Sequence, residues 1–156
     1  PGMRLTSLLR GGGQEQGRRS GTENILGITG FGAAATVAFG DVAHFSNMAG
    51  WRDAFEAEVG AACPDVTLFG ATAPRLGNTS CLGVGGKSSE TLVMALDIAG
   101  VAVSAGSACS SGRVTASHVL TAMGAGEKAA QAIRVSGGWQ TRKEDFERLA
   151  QVLSGL

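Results

Sequence analysis

Apolar positions along the chain change period several times, and the changes mark out its elements. Over residues 23–39 they recur at helical spacing through Ile25, Ile28, Phe31 and Ala35. Thr22 stands where an N-cap belongs, with Glu23 in the first turn. A second helix is expected over 41–62, with Val42, Phe45, Trp51, Phe55 and Val59 inward, ended by Pro64-Asp65. Short strands follow at 66–69 and 78–84, closed by Gly70 and by Gly85-Gly86-Lys87. Ser88 caps a third helix whose Leu92, Leu96 and Ala99 share a face, and Gly100 stops it. Residues 101–103, all apolar, predict a buried strand. A short helix is expected over 117–123, a brief one from Glu127, and a strand over 132–136. Thr141-Arg142-Lys143-Glu144 predicts a capping box for a last helix to about Leu153, with Phe146, Leu149, Ala150 and Leu153 inward. From residue 41 the order is α, β, β, α, β, α, β, α. That predicts an α+β domain, helices covering one face of a short sheet.

Composition narrows this picture. The 156 residues are 44% hydrophobic and carry 13 basic and 13 acidic side chains, so net charge is zero. A domain with a real core is expected. A nucleic-acid or anionic-membrane surface built from bulk charge is not. No apolar run is long enough to span a bilayer, and Pro1-Gly2-Met3-Arg4 does not open a signal peptide. The three cysteines, Cys63, Cys81 and Cys109, fit no zinc spacing and cannot all pair, so free thiols in a cytoplasmic setting are expected. The chain starts on Pro-Gly and reads as a piece of something longer.

Three segments invite chemistry. Cys109 lies at the centre of SAGSACSSG, a run of small, turn-favouring residues with nothing bulky to bury the sulfur. A reactive thiol on a movable loop and an inert exposed cysteine fit that composition equally. The run GGGQEQGRRSGTEN joins three glycines, paired arginines and a hydroxyl at a helix start, features that suit a phosphate; a solvated linker followed by an ordinary cap suits them too. Arg134 interrupts the apolar strand AIRVS, either as a clamp for a carboxylate or simply on the solvent face. His44 and His118 read as surface or capping residues, and Cys63 and Cys81 as packing cysteines.

Taken in order, GGGQEQGRRSGTEN, RLGNTS, ETLVMALDIAGVAVSAGSACSSG, SHVLTAMG and AIRVSGG resemble the C-terminal part of NifS/IscS-type cysteine desulfurases, pyridoxal-phosphate enzymes of the class V aminotransferase family. The resemblance covers about residues 11–156. It implies the small C-terminal domain of a fold type I transferase at 41–156, with 1–40 ending the large cofactor domain. It implies that Cys109 takes sulfur from L-cysteine as a persulfide, leaving L-alanine. Arg134 then binds the substrate carboxylate, Asn78 lies near the substrate, and Thr22 reaches the cofactor phosphate of the partner subunit in a homodimer. The implied partners are L-cysteine and a sulfur-acceptor or scaffold protein, as in iron–sulfur cluster assembly. The His-Lys pair that carries the family's Schiff base does not occur in the chain, and the reading is of a fragment inactive by itself. The alternatives are a non-catalytic module that docks a sulfur acceptor or a subunit, and a selenocysteine lyase-like enzyme on the same fold.

Overall fold

The computed structural model describes residues 6–105, 107–108 and 114–156. The chain divides into two compact units, one ending at Gly40 and one spanning Asp41–Leu156.

The first unit holds a single helical turn, α1 (Gln14–Gly17), and a long helix, α2 (Ile25–Gly40). Glu15 and Gln16 in α1 sit in the left-handed region, at φ 52° and 59°, a strained setting for residues with side chains. The cap of α2 differs from expectation. Asn24 Oδ1, not Thr22, accepts from the Gly27 amide at 3.1 Å, because Asn24 directly precedes the first helical residue. α2 carries no charged residue and buries none of its side chains. Among the described residues no single helix is long and apolar enough to cross a membrane.

The second unit runs α3 (Val42–Ala62), β1 (Thr67–Leu68), β2 (Thr79–Gly83), α4 (Ser89–Ile98), β3 (Ser104–Ala105), β4 (Ser107–Ala108), β5 (Val114–Thr115), α5 (His118–Ala122), a 3₁₀ helix (Gly126–Gln131), β6 (Ala132–Ser136) and α6 (Lys143–Ser154). It is an α+β fold. Its main sheet has the order β1-β2-β6-β3, with each neighbouring pair antiparallel. β4 and β5 form a separate two-stranded ladder.

Alternation along β2 and β6 separates two faces. Leu82, Ile133 and Val135 point into the main core with Phe55 and Val59 of α3, Leu92 and Leu96 of α4, and Phe146, Leu149 and Leu153 of α6. The opposite face is covered only in part: Ala132 packs with Phe69, Leu120 of α5 and Ala129 of the 3₁₀ helix, with Cys81 against them. Helices therefore dominate one face, as the pattern predicts, and a smaller cap sits on the other.

Local signals account for most element ends. Ser88 Oγ accepts from the Thr91 amide at 3.2 Å, and Gly100 turns at φ 78° after α4. Three expectations need correction. Residues 101–103 are not a strand: the Val101 amide closes the end of α4 by donating to Leu96 O at 2.8 Å, so it is unavailable to a ladder, and pairing starts at Ser104. The capping box lies one residue later, where the Arg142 amide donates to Asp145 Oδ2 at 2.8 Å, while Thr141 Oγ1 accepts from the Gly138 amide at 2.8 Å. The inward face of α3 is rotated: Val42 is exposed, and Met48, Arg52 and Glu56 are buried with Phe55 and Val59.

Candidate functional site

β6 crosses the middle of the sheet and carries Arg134 on the face away from the main core. Its direct neighbours are Cys81 on β2 and Ser104 on β3. The main-chain pairing fixes this register, so the guanidinium stem rises between two small side chains rather than two bulky ones. Arg134 is exposed. Beside it opens a pocket of about 300 Å³ lined by Phe69, Cys81, Leu120, Met123 and Ile133. A cation at the mouth of a largely apolar pocket suits a small molecule with a carboxylate at one end and little polarity at the other.

Cys81 lies inside this pocket and is half-buried. Burial pushes its thiol above the ordinary cysteine range, against the opposing charge of Arg134. It packs against Phe69, Leu120, Ala129 and Ala132, as the sequence suggests.

Ser104, the first residue of the SAGSACSSG segment, is the cross-strand neighbour of Arg134, so that segment starts beside it. Ser107 and Ala108 pair with Thr115 and Val114, which brackets the stretch that contains Cys109. Cys109 itself lies outside the described residues.

Asn78 sits at the far end of the same strand pair. Its Nδ2 donates to Gly137 O at 2.8 Å, and the Gly137 amide donates to Asn78 O at 2.8 Å. The side-chain amide nitrogen is thus already used in tying β2 to the turn after β6. A second Nδ2 hydrogen and Oδ1 remain, and Oδ1 also accepts from Thr79 Oγ1 at 3.3 Å.

Thr22 belongs to the first unit, and its side chain is exposed. The arginine beside it serves the loop rather than a ligand. Arg19 donates to the carbonyl oxygens of Ser20, Gly21 and Thr22 at 3.1, 2.8 and 3.3 Å, and so staples the turn that leads into α2.

One cluster escapes the sequence reading. The Glu56 carboxylate accepts from Arg75 Nη1 and Nη2 at 2.6 and 2.8 Å and from Ser80 Oγ at 2.6 Å. Arg52 donates to Leu76 O at 2.6 Å and to the Asp53 carboxylate. Burial raises the Glu56 pKa, but the Arg75 and Ser80 hydrogen bonds and the charges of Arg75 and Arg52 outweigh it and hold the carboxyl below the usual carboxylate range. The available signal was the four-residue spacing of Arg52 and Glu56, which puts two charges on the stripe between Met48 and Val59.

A second cavity, about 250 Å³ and lined chiefly by Val101, Val103, Val135, Phe146 and Leu149, opens on the helix side of the sheet, away from Arg134. Among the described residues no group of His, Cys, Asp and Glu is arranged to hold a metal ion.

The sequence matches the aminotransferase class-V family over residues 7–149. It is 41% identical over 153 residues to a cysteine desulfurase of Cereibacter sphaeroides, a match that covers 97% of this chain and 39% of that protein. It is 38% identical over 150 residues to the cysteine desulfurase NifS of Azotobacter vinelandii, covering 95% of this chain and 37% of that protein. Among solved structures, a NifS-like protein from Rickettsia africae superposes with a TM-score of 0.79 at 29% identity, covering 96% of this chain and 39% of the other. The chain thus spans about two-fifths of the length of these relatives.

Proposed function

The chain belongs to the aminotransferase class-V family, and from that premise we propose that it supplies the substrate-anchoring and sulfur-receiving part of a pyridoxal-phosphate-dependent cysteine desulfurase. The register pair Ser104–Arg134 carries the reading: it sets the one cation of the AIRVS strand beside the chain that leads to Cys109.

Arg134 binds the L-cysteine carboxylate through its planar guanidinium, which matches two carboxylate oxygens at once. The apolar pocket beside it takes the rest of a small substrate and keeps water from the reacting sulfur. The Cys109 thiolate attacks that sulfur. The carbon–sulfur bond breaks, its electron pair stays on carbon and takes up a proton, and a sulfur–sulfur bond forms. L-alanine leaves, and Cys109 carries a persulfide for an acceptor protein. In the sequence Cys109 is followed by Ser-Ser-Gly, residues without bulky side chains.

The side chains present fit two ends of the cofactor's site. Exposed Thr22 suits a phosphate contact made from one subunit of a homodimer to the other, and Arg134 suits the carboxylate of a substrate held on the cofactor. They do not suit its aldehyde. Lys143 pairs with Glu147 at 2.8 Å, Lys128 donates to Thr67 at 3.1 Å, and Lys87 follows the end of β2 opposite Asn78. When bound, pyridoxal phosphate supplies an electron sink for bond cleavage next to the amino group.

The test is Cys109→Ala in the cofactor-loaded enzyme that carries this chain. Alanine and sulfide release from L-cysteine should stop, while the absorbance change that substrate causes in the cofactor persists. Unchanged sulfide release would refute the role given to Cys109.

A further inference from the structure

α3 carries a stripe that this chemistry leaves unused. Phe45, Ala49, Arg52 and Glu56 recur at helical spacing, and the segment 75–80 runs against all four. Arg75 and Ser80 bond to Glu56, and Leu76 O accepts from Arg52. Gly77 lies so close to α3 that a Cβ on it would stand 2.5 Å from Phe45 O and 3.0 Å from the Ala49 nitrogen.

That segment leads directly into the strand beside Arg134, although its own side chains do not line the pocket. Ser80 directly precedes Cys81, the cross-strand neighbour of Arg134. Asn78 is doubly bonded to Gly137, which ends the same stretch of chain. Both ends of the run 134–137 are therefore tied to Cys81 and Asn78, which lie one or two positions along the chain from Ser80 and Leu76, the residues that Glu56 and Arg52 hold.

A well-packed apolar group would join α3 to this segment at no loss of stability. A bidentate ion pair with a third hydrogen bond fixes orientation as well as separation. Glu56 and Arg52 are both buried, and all of the Glu56 bonds go to the segment bordering Arg134.

We propose that Glu56 is a positioning residue for the carboxylate anchor: acting through Arg75 and Ser80, it fixes β2 and thereby the placement of Arg134 over its pocket. The role rests on Arg134 being that anchor, and Glu56 itself touches no substrate.

The test compares Glu56→Gln and Arg134→Lys in the loaded enzyme, together with hydrogen exchange on this chain. Glu56→Gln keeps the side-chain shape and turns one acceptor into a donor facing Arg75. KM for L-cysteine should rise about tenfold with kcat changed far less, as expected for a small misplacement of a binding group. The Gly137 amide, which reports the Asn78 contact, should exchange faster, while amides in α6 stay unchanged; a merely stabilising contact would accelerate both alike. If Glu56→Gln fails to fold, Ser80→Ala removes one bond of the cluster and should show the same KM effect, smaller in size. An unchanged KM in Glu56→Gln alongside a raised KM in Arg134→Lys would overturn the positioning role. An unchanged KM in Arg134→Lys would overturn the anchor itself, and the role of Glu56 with it.

Discussion

Replacing Arg75 by Met tests the Glu56 cluster as a matter of stability. The variant keeps the apolar stem of the side chain but removes two hydrogen bonds and a charge from a carboxylate that is 7% exposed. Severing a buried ion pair costs about 3–5 kcal/mol when nothing else compensates. Here Ser80 still donates at 2.6 Å, the Arg52 charge stays nearby, and the Arg75 side chain is 18% accessible to water. We therefore expect a loss of about 2–3 kcal/mol at pH 7. The loss should depend on pH. Wild-type Glu56 has a folded-state pKa below its unfolded value, so the pair's contribution is complete above the unfolded pKa, about 4.3. It fades as the pH falls through the lower folded value. In Arg75→Met the carboxyl loses its main partner, takes up a proton more readily, and escapes the penalty of a buried charge. Urea unfolding of both proteins at pH 7 and pH 3.5 should show the difference between them shrink at the lower pH. Adding Glu56→Met should restore most of the stability, because both charges then leave together. An equal difference at both pH values, or a double variant no more stable than Arg75→Met, would refute the account.

Two further variants test local packing. Gly77→Ala should destabilise by about 1–3 kcal/mol, since its Cβ would meet backbone atoms of α3 that cannot rotate away; thermal unfolding reads this directly. Ser88→Ala should cost about 1 kcal/mol by leaving the Thr91 amide without its cap, measured as a shift in the urea midpoint at constant slope.

Element identity was largely legible in the chain because its causes are local. The helical stripe through Phe146, Leu149, Ala150 and Leu153 is buried as read, and Ser88, Ser117 and Gly100 act at the helix ends where their chemistry assigns them. The errors are also local in origin. Thr22 and Asn24 are both competent caps, and only the position of the first helical turn chooses between them. Val101 looks like strand until its amide is seen closing α4.

The sequence by itself determined the order of elements, the α+β class, the family resemblance and the residue types that carry the proposed chemistry. Tertiary structure alone decided their partners. Glu56 meets Arg75 and Ser80 across separations of 19 and 24 residues, and Arg134 stands between Cys81 and Ser104 only once β6 has entered the sheet between β2 and β3. The physical reason is range. Caps and hydrophobic periods act within a turn or two, where spacing in sequence is spacing in space. Strand order and ion pairing join segments far apart in the chain, whose meeting depends on how the whole core closes.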